Sequence, residues 1–196
     1  MTPIPLILAS GSPYRARQLS QLGLTFEIVR PDVDETPLAG EPPADLALRL
    51  AEDKARAVAR NWPKAWVIGS DQTADCGGLL LGKPGSAERA QAQLEQMSCK
   101  TVLFHSALCL LAPDGQAERV NVTTTVQLRQ LSPAEIAAYI KKEQPLDCAG
   151  SFKVEGLGIS LFDWIRSDDP SALIGLPLIG LCRLLREAGC NPTTIP

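Results

Sequence analysis

Residues 4–23 read IPLILASGSPYRARQLSQLG, and the order of residue types in this stretch decides the fold class. Residues 4–9 are an apolar run without alternation, the pattern of a strand buried on both faces. Ser10, Gly11 and Ser12 follow as a loop of small residues. Ser12 suits an N-cap, Pro13 the first helical position and Gly23 the left-handed residue that closes a helix. A strand, a short loop and a helix in immediate succession open an α/β sheet.

Outward from this unit, residues 25–29 read as a second strand, followed by a Pro-, Asp- and Glu-rich loop over 31–43. Residues 44–61 carry helical spacing, with Glu52 and Arg56 as an i,i+4 pair. A third strand is expected over 65–70, ending at Asp71-Gln72. Gly77-Gly78 marks a turn, and residues 79–81 lead into Gly82-Lys83-Pro84. A helix is predicted over 86–97. Residues 101–111 and 118–131 read as paired strands around the turn Pro113-Asp114-Gly115. Ser132-Pro133-Ala134-Glu135 is a capping box that starts a helix running to about Lys142. The loop 147–158 leads to a short strand at 159–162, Asp169-Pro170 to a helical turn, and Pro177 to a last helix stopping before Gly189. The alternation of elements around a central hairpin predicts a three-layer α/β fold, a central mixed β-sheet flanked by helices.

At 196 residues the chain is long enough for one domain, or one domain with two lobes. Nineteen basic against 22 acidic residues give a net charge of −3, which argues against a nucleic-acid binder with a basic face. No apolar run approaches the ~20 residues of a membrane span, and the first apolar stretch lacks the basic flank of a signal peptide. The chain therefore reads as soluble and cytosolic. Its six cysteines include no C-x-x-C pair and there is one histidine, His105, so a zinc site is disfavoured and the thiols read as reduced. With one histidine, hydrolytic chemistry has to lean on carboxylates, lysines and a metal.

Five places carry residues suited to such chemistry. In the first loop, backbone N–H groups at a helix N-terminus, the hydroxyls of Ser10 and Ser12 and the cation of Arg15 would form a phosphate cradle. Read alone, the same residues describe a capped helix with a solvated arginine. Lys83 lies in GLLLGKP, where Pro84 stands in place of the hydroxyl residue of a P-loop, so it is either a phosphate contact or a lysine after a hairpin. Asp71 directly follows an apolar strand, at the sheet end where ligands collect in α/β folds. Asp32, Asp34 and Glu35 are a solvated acidic loop or a metal arm. Lys153 and Glu155, two apart between glycines, would share one face if extended and grip a phosphate and a base edge, or else pair with each other on a surface loop.

Seven segments, in order, resemble the Maf family of nucleoside triphosphate pyrophosphatases: LASGSPYRARQL (8–19), VDETP (33–37), LAEDKA (50–55), IGSDQ (68–72), GKP (82–84), CAGSFKVEGLG (148–158) and IGLPL (174–178). None is specific alone; in register they span nearly the whole chain. The resemblance implies a Maf/ITPase-like single domain over 1–196, with two lobes around a central cleft. It implies hydrolysis of a nucleoside triphosphate to the monophosphate and pyrophosphate with a divalent cation, Mg or Mn. It casts Asp71 as the general base toward the attacking water. Ser10, Ser12, Arg15, Lys54 and Lys83 would surround the triphosphate, and Glu35 would join Asp71 at the metal. Tyr14, Gln72 and Glu155 would read the base, with Lys153 a further candidate beside them.

Within the family, these three residues resemble the branch acting on 7-methyl-GTP, whose cationic base suits an aromatic face and a carboxylate. Tyr14 stands where that branch usually has tryptophan, and Ser98-Cys99-Lys100 where the family prefers a small-residue turn with glycine. The rival within the class is a pyrophosphatase for dTTP, UTP or another non-standard nucleotide. The rival outside it is a non-catalytic nucleotide-binding regulator of cell division, which would have no use for a water-activating carboxylate beside a phosphate. The partners implied are a small nucleotide and a second copy of the chain, with no nucleic acid and no membrane; the expected location is the cytoplasm.

Overall fold

A computed structural model describes residues 5–194, so the expected strand start at Ile4 lies outside the described residues. The strands are β1 (Leu6–Ala9), β2 (Glu27–Val29), β3 (Trp66–Cys76), β4 (Leu79–Leu81), β5 (Thr101–Leu111), β6 (Ala117–Leu128) and β7 (Phe162–Arg166). The helices are α1 (Pro13–Ser20), α2 (Pro43–Ala59), α3 (Ala87–Met97), α4 (Pro133–Glu143) and α5 (Leu178–Glu187). All strands join one sheet in the order β2-β1-β3-β5-β6-β7, with β4 added to β3. β1 runs parallel to β2 and β3, and the other pairings are antiparallel, which makes the sheet mixed.

Alternation along the strands separates two apolar faces. Ile7, Ala9 and Val67 pack with Ala47, Ala51 and Ala55 of α2. Leu8, Ile68 and Leu108 pack on the other face with Leu19 of α1 and Leu181, Leu184 and Leu185 of α5. α3 and α4 close a further cluster around Phe104, Val126 and Leu128. Helices cover both faces, giving the three layers expected. α2 approaches β3 closely because its facing residues are alanines and the strand offers Gly69, where a Cβ would run into the Ala51 carbonyl and the Ala55 amide.

Ser12 caps α1 and Ser132 and Glu135 form the capping box of α4, both as predicted. α1 ends at Ser20, earlier than the expected Leu22, with Gly23 at φ 68° beyond it. Several strands differ from expectation. β2 starts at Glu27 rather than residue 25, β6 ends at Leu128 rather than residue 131, and residues 79–81 form β4. Two further strands differ in ways that bear on the site. β3 does not stop at Ser70 but runs through Asp71 to Cys76, because β5 pairs with it in unbroken register from Val67↔Leu111 to Asp75↔Leu103. Residues 159–161 are not a strand: Leu157–Leu161 form a 3-10 turn, and the strand starts at the last residue of the expected one and runs Phe162–Arg166. Gly158 there lies so near the Lys153 backbone that a Cβ would overlap it, and this tight loop delays the strand.

The length of β3 creates the feature that matters most. On one side β5 accompanies it throughout; on the other, β1 pairs only as far as Ala9↔Gly69 and β4 begins only at Ala74↔Leu81. Residues 70–73 thus have an open edge between two partner strands. Among the described residues no helix is long and apolar enough to cross a membrane, and all six cysteines are free thiols.

Candidate active site

The open edge of β3 is filled by charge. β1 ends beside it, and the loop that follows delivers the first turn of α1 into the gap. Ser10 is buried and its Oγ accepts from Ser12 N–H at 3.1 Å, while Ser12 Oγ faces Arg15 N–H at the head of α1. Arg15 turns back onto the sheet: Nη1 donates to the Ser70 carbonyl at 2.8 Å and Nε to the Gly175 carbonyl at 2.9 Å. Nη2 has no protein acceptor among the described residues. Burial pulls the guanidinium pKa down, and the carboxylates of Asp71 and Glu35 pull it back up.

Asp71 points to the α2 face of β3. Lys54, one turn on from Ala51 along the packed face of α2, places its Nζ 2.5 Å from Asp71 Oδ1 and 2.6 Å from Glu35 Oε1. Asp71 and Lys54 are nearly buried, whereas the Glu35 side chain is 60% exposed, so the triad opens to solvent on the Glu35 side. Burial raises the Glu35 pKa, but the hydrogen bond and charge of Lys54, helped by Lys83 and Arg15, outweigh it and hold the carboxyl below its usual range. Lys83 is exposed on the loop after β4, acts on Glu35 through its charge and forms no ion pair among the described residues. Sequence-distant Arg15, Glu35, Lys54, Asp71 and Lys83 are therefore one cluster.

Two carboxylates sharing one ammonium suit a divalent cation that also takes phosphate oxygens, since magnesium is commonly held by one or two carboxylates plus substrate phosphates. Among the described residues no group of three His, Cys, Asp or Glu forms a protein-only metal cage. Glu35 and Asp71 thus fit a metal that arrives with a polyphosphate.

The expected base-reading residues divide. Tyr14 stands beside Arg15 on α1, and its hydroxyl donates to Asp147 Oδ1 at 3.3 Å, at the start of the 147–158 loop. Gln72 follows Asp71 and by the strand period faces the other way. Its Nε2 donates to Ser106 Oγ at 2.9 Å and to the Ala172 and Leu173 carbonyls at 3.1 Å. It pins the 3-10 turn Ala172–Ile174, next to the Gly175 carbonyl that holds Arg15. Lys153 Nζ donates to the Glu143 and Gln144 carbonyls, capping the C-terminus of α4 rather than joining the Asp71 cluster. Glu155 is exposed; its charge is felt at Tyr139, and it has no hydrogen-bond partner among the described residues.

Several supporting residues carry no local sequence signal. Gln93 on α3 ties two site loops together: its Nε2 donates to the Gly82 carbonyl and its Oε1 accepts from Ser151 Oγ. Ser151 holds φ 60°, unusual for a serine, next to Gly150 at φ 71°. Asp169, 2% exposed, accepts from Ser171 through one oxygen and from the Ile179 and Gly180 amides through the other, fixing the turn before α5.

This constellation, an α/β sheet with a carboxylate on a through-running strand among three basic side chains, belongs to an enzyme acting on a polyanion. Residues 5–188 match the family described as Maf-like protein, and the chain belongs to that family. A protein of Xanthomonas oryzae pv. oryzae named 7-methyl-GTP pyrophosphatase is 61% identical over 184 residues, covering 94% of this chain and 96% of its own. Proteins of the same name from a Polaromonas species and from Cupriavidus pinatubonensis are 55% and 53% identical, each over 96% of this chain, and over 86% and 96% of their own lengths. Among solved structures, a nucleoside-triphosphatase (dITP/XTP pyrophosphatase) from Mycobacterium abscessus aligns over 94% of this chain and 95% of its own, with TM-score 0.47 and 18% identity.

Proposed function

We propose that this chain is a nucleoside triphosphate pyrophosphatase that hydrolyses 7-methyl-GTP to 7-methyl-GMP and pyrophosphate. The observation that carries the chemistry is the cluster in the β3 gap, where Lys54 bridges Asp71 and Glu35 with Arg15 and Lys83 alongside. The high identity to relatives of that name supports the choice of nucleotide.

Hydrolysis at the α-phosphate requires a positioned water, neutralised phosphate oxygens and a stable leaving group. Asp71 accepts the proton of the attacking water. Arg15, with Nη2 unengaged, and Lys83, exposed and without an ion pair, neutralise the triphosphate and the departing pyrophosphate; Ser10 and Ser12 line the approach with the α1 N-terminus. Lys54 holds Asp71 and Glu35 in place before substrate arrives and transfers part of its charge interaction to the phosphates when they do. A divalent cation, Mg or Mn, held by Glu35 and Asp71, supplies further neutralisation of the phosphate charge. Tyr14 stacks on the base, Glu155 and Lys153 belong to the loop that borders it, and Gln72 acts from behind by fixing the turn that seats Arg15. Substrate reaches the cluster at the open edge of β3, from the solvent-facing Glu35 side. The enzyme is read as a cytoplasmic homodimer.

Pyrophosphate release from 7-methyl-GTP, GTP, dTTP, UTP and CTP at equal concentration, with Mg or Mn and with Asp71→Asn as blank, tests this. A preference for 7-methyl-GTP is expected. Preference for dTTP or UTP would keep the chemistry and discard the base assignment; no release from any nucleotide by folded protein would sink the enzymatic reading. Light scattering tests the dimer.

A further inference from the structure

Methylation of guanine at N7 gives the purine a positive charge, so an enzyme selecting 7-methyl-GTP over GTP needs a negative group at the base and positive groups at the phosphates. The phosphate end has its cations. At the base end, Glu155 is exposed, its charge is felt at Tyr139 of α4, and it forms no hydrogen bond to Tyr14 among the described residues. A different carboxylate meets Tyr14. The Tyr14 hydroxyl and the Cys148 thiol both donate to the same oxygen of Asp147, at 3.3 and 3.5 Å. Asp147 is exposed and forms no ion pair among the described residues, and its Oδ2 has no partner there. Lys153, whose charge reaches Cys148, gives its ammonium to the α4 carbonyls instead. Burial is the main cause that raises the Tyr14 and Cys148 pKa values, Cys148 to about 12; the neighbouring Cys148 and then Asp147 raise Tyr14 further, and Asp147 raises Cys148 while Tyr14 and Lys153 pull it back.

We infer that Asp147 is the specificity-determining carboxylate that reads the positive charge of the methylated base. This rests on the 7-methyl-GTP reading above. Tyr14 and Arg15 are consecutive on the first turn of α1 with side chains about 100° apart round the helix, so phosphates at Arg15 and a base at Tyr14 occupy neighbouring faces of the same helix end, separated by the ribose. Accepting from the Tyr14 hydroxyl fixes the ring and makes it more electron-rich, which strengthens its attraction for a cation over its face. The free Oδ2 adds a direct charge interaction at the edge of the same ring. GTP, with a neutral base, gains neither.

The test measures kcat and KM for 7-methyl-GTP and GTP in the wild type, Asp147→Asn, Asp147→Glu and Glu155→Gln. For Asp147→Asn the ratio of kcat/KM for 7-methyl-GTP over GTP is expected to fall about fivefold, the scale of one exposed charge interaction, carried by a higher KM for the methylated nucleotide. Asp147→Glu should recover most of the ratio. In the wild type the same ratio should fall as salt rises, because the triphosphates are common to both substrates and only the base charge differs. An unchanged ratio in Asp147→Asn, equal losses on both nucleotides, a salt-independent ratio, or a drop confined to Glu155→Gln would each overturn the inference while leaving the pyrophosphatase intact. A wild type without preference for 7-methyl-GTP would remove the nucleotide assignment itself, and this role with it.

Discussion

Lys54 and Asp71 form an ion pair at 2.5 Å in which both side chains are almost out of water, with side-chain exposures of 8% and 11%. Their roles are unequal, because Lys54 has a second carboxylate in Glu35 and Asp71 has no second ammonium. Removing Lys54 leaves Asp71 as a nearly buried charge with no ion-pair partner and only the more distant charge of Arg15; removing the Asp71 charge leaves Lys54 still paired.

Lys54→Met should therefore cost about 3 kcal/mol in chemical denaturation, the scale of breaking a buried pair from one side. Asp71→Asn should cost about 1 kcal/mol. Activity should run the other way: Asp71→Asn lowers kcat by about 10²-fold or more, as loss of a general base does. Near-normal turnover in folded Asp71→Asn would take Asp71 out of the chemistry.

Gln72 gives three donor contacts to one turn and the wall behind it. Gln72→Glu would set a carboxylate against the Ala172 and Leu173 carbonyls, and a loss of about 3 kcal/mol is expected. KM should rise for every nucleotide, since the displaced turn carries the Gly175 carbonyl that seats Arg15. A change in base preference at full stability would instead place Gln72 at the base.

Gly69 lies under α2 with no space for a methyl group. Gly69→Ala should lower stability by about 3 kcal/mol and reduce kcat, because α2 cannot move off β3 without carrying Lys54 away from Asp71. Thermal melting beside steady-state assays would show both losses together; a stable variant with full activity would mean that α2 is less tightly docked.

Glu135 is held at about 2 by the Ser132 amide and hydroxyl and by Arg129. Its folded pKa is below the unfolded value of about 4.3, so its stabilisation is complete above that value and is lost as pH falls toward 2. The stability gap between wild type and Glu135→Gln should be widest near neutrality and vanish in acid. Ser132→Ala, which removes the cap, should cost about 1 kcal/mol.

Local chemistry made much of the frame legible. The apolar run into Ser10-Gly11-Ser12-Pro13 and the capping box at Ser132 are decided by residues within one turn of each other, and both appear as read. Asp71 stood out as an acid after an apolar strand, yet Asp71-Gln72 also looked like the strand's end. Only pairing with the distant β5 carries the strand onward, and that pairing turns Gln72 away from Asp71. The spacing offers Lys153 a phosphate or Glu155 as partner, and it takes neither, because the carbonyl end of α4 receives its ammonium. Gln93 is an ordinary helix residue in sequence; its bridge exists only because the Gly82 and Ser151 loops both end at α3.

The break in pairing along one side of β3 separates what this protein inherits together from what it inherits apart. Asp71 rides on a strand anchored along its whole other side to β5, whereas Asp147 meets Tyr14 of α1 from the 147–158 loop through one hydrogen bond. A substitution in the 147–158 loop therefore leaves the pairing of the strand that carries Asp71 untouched.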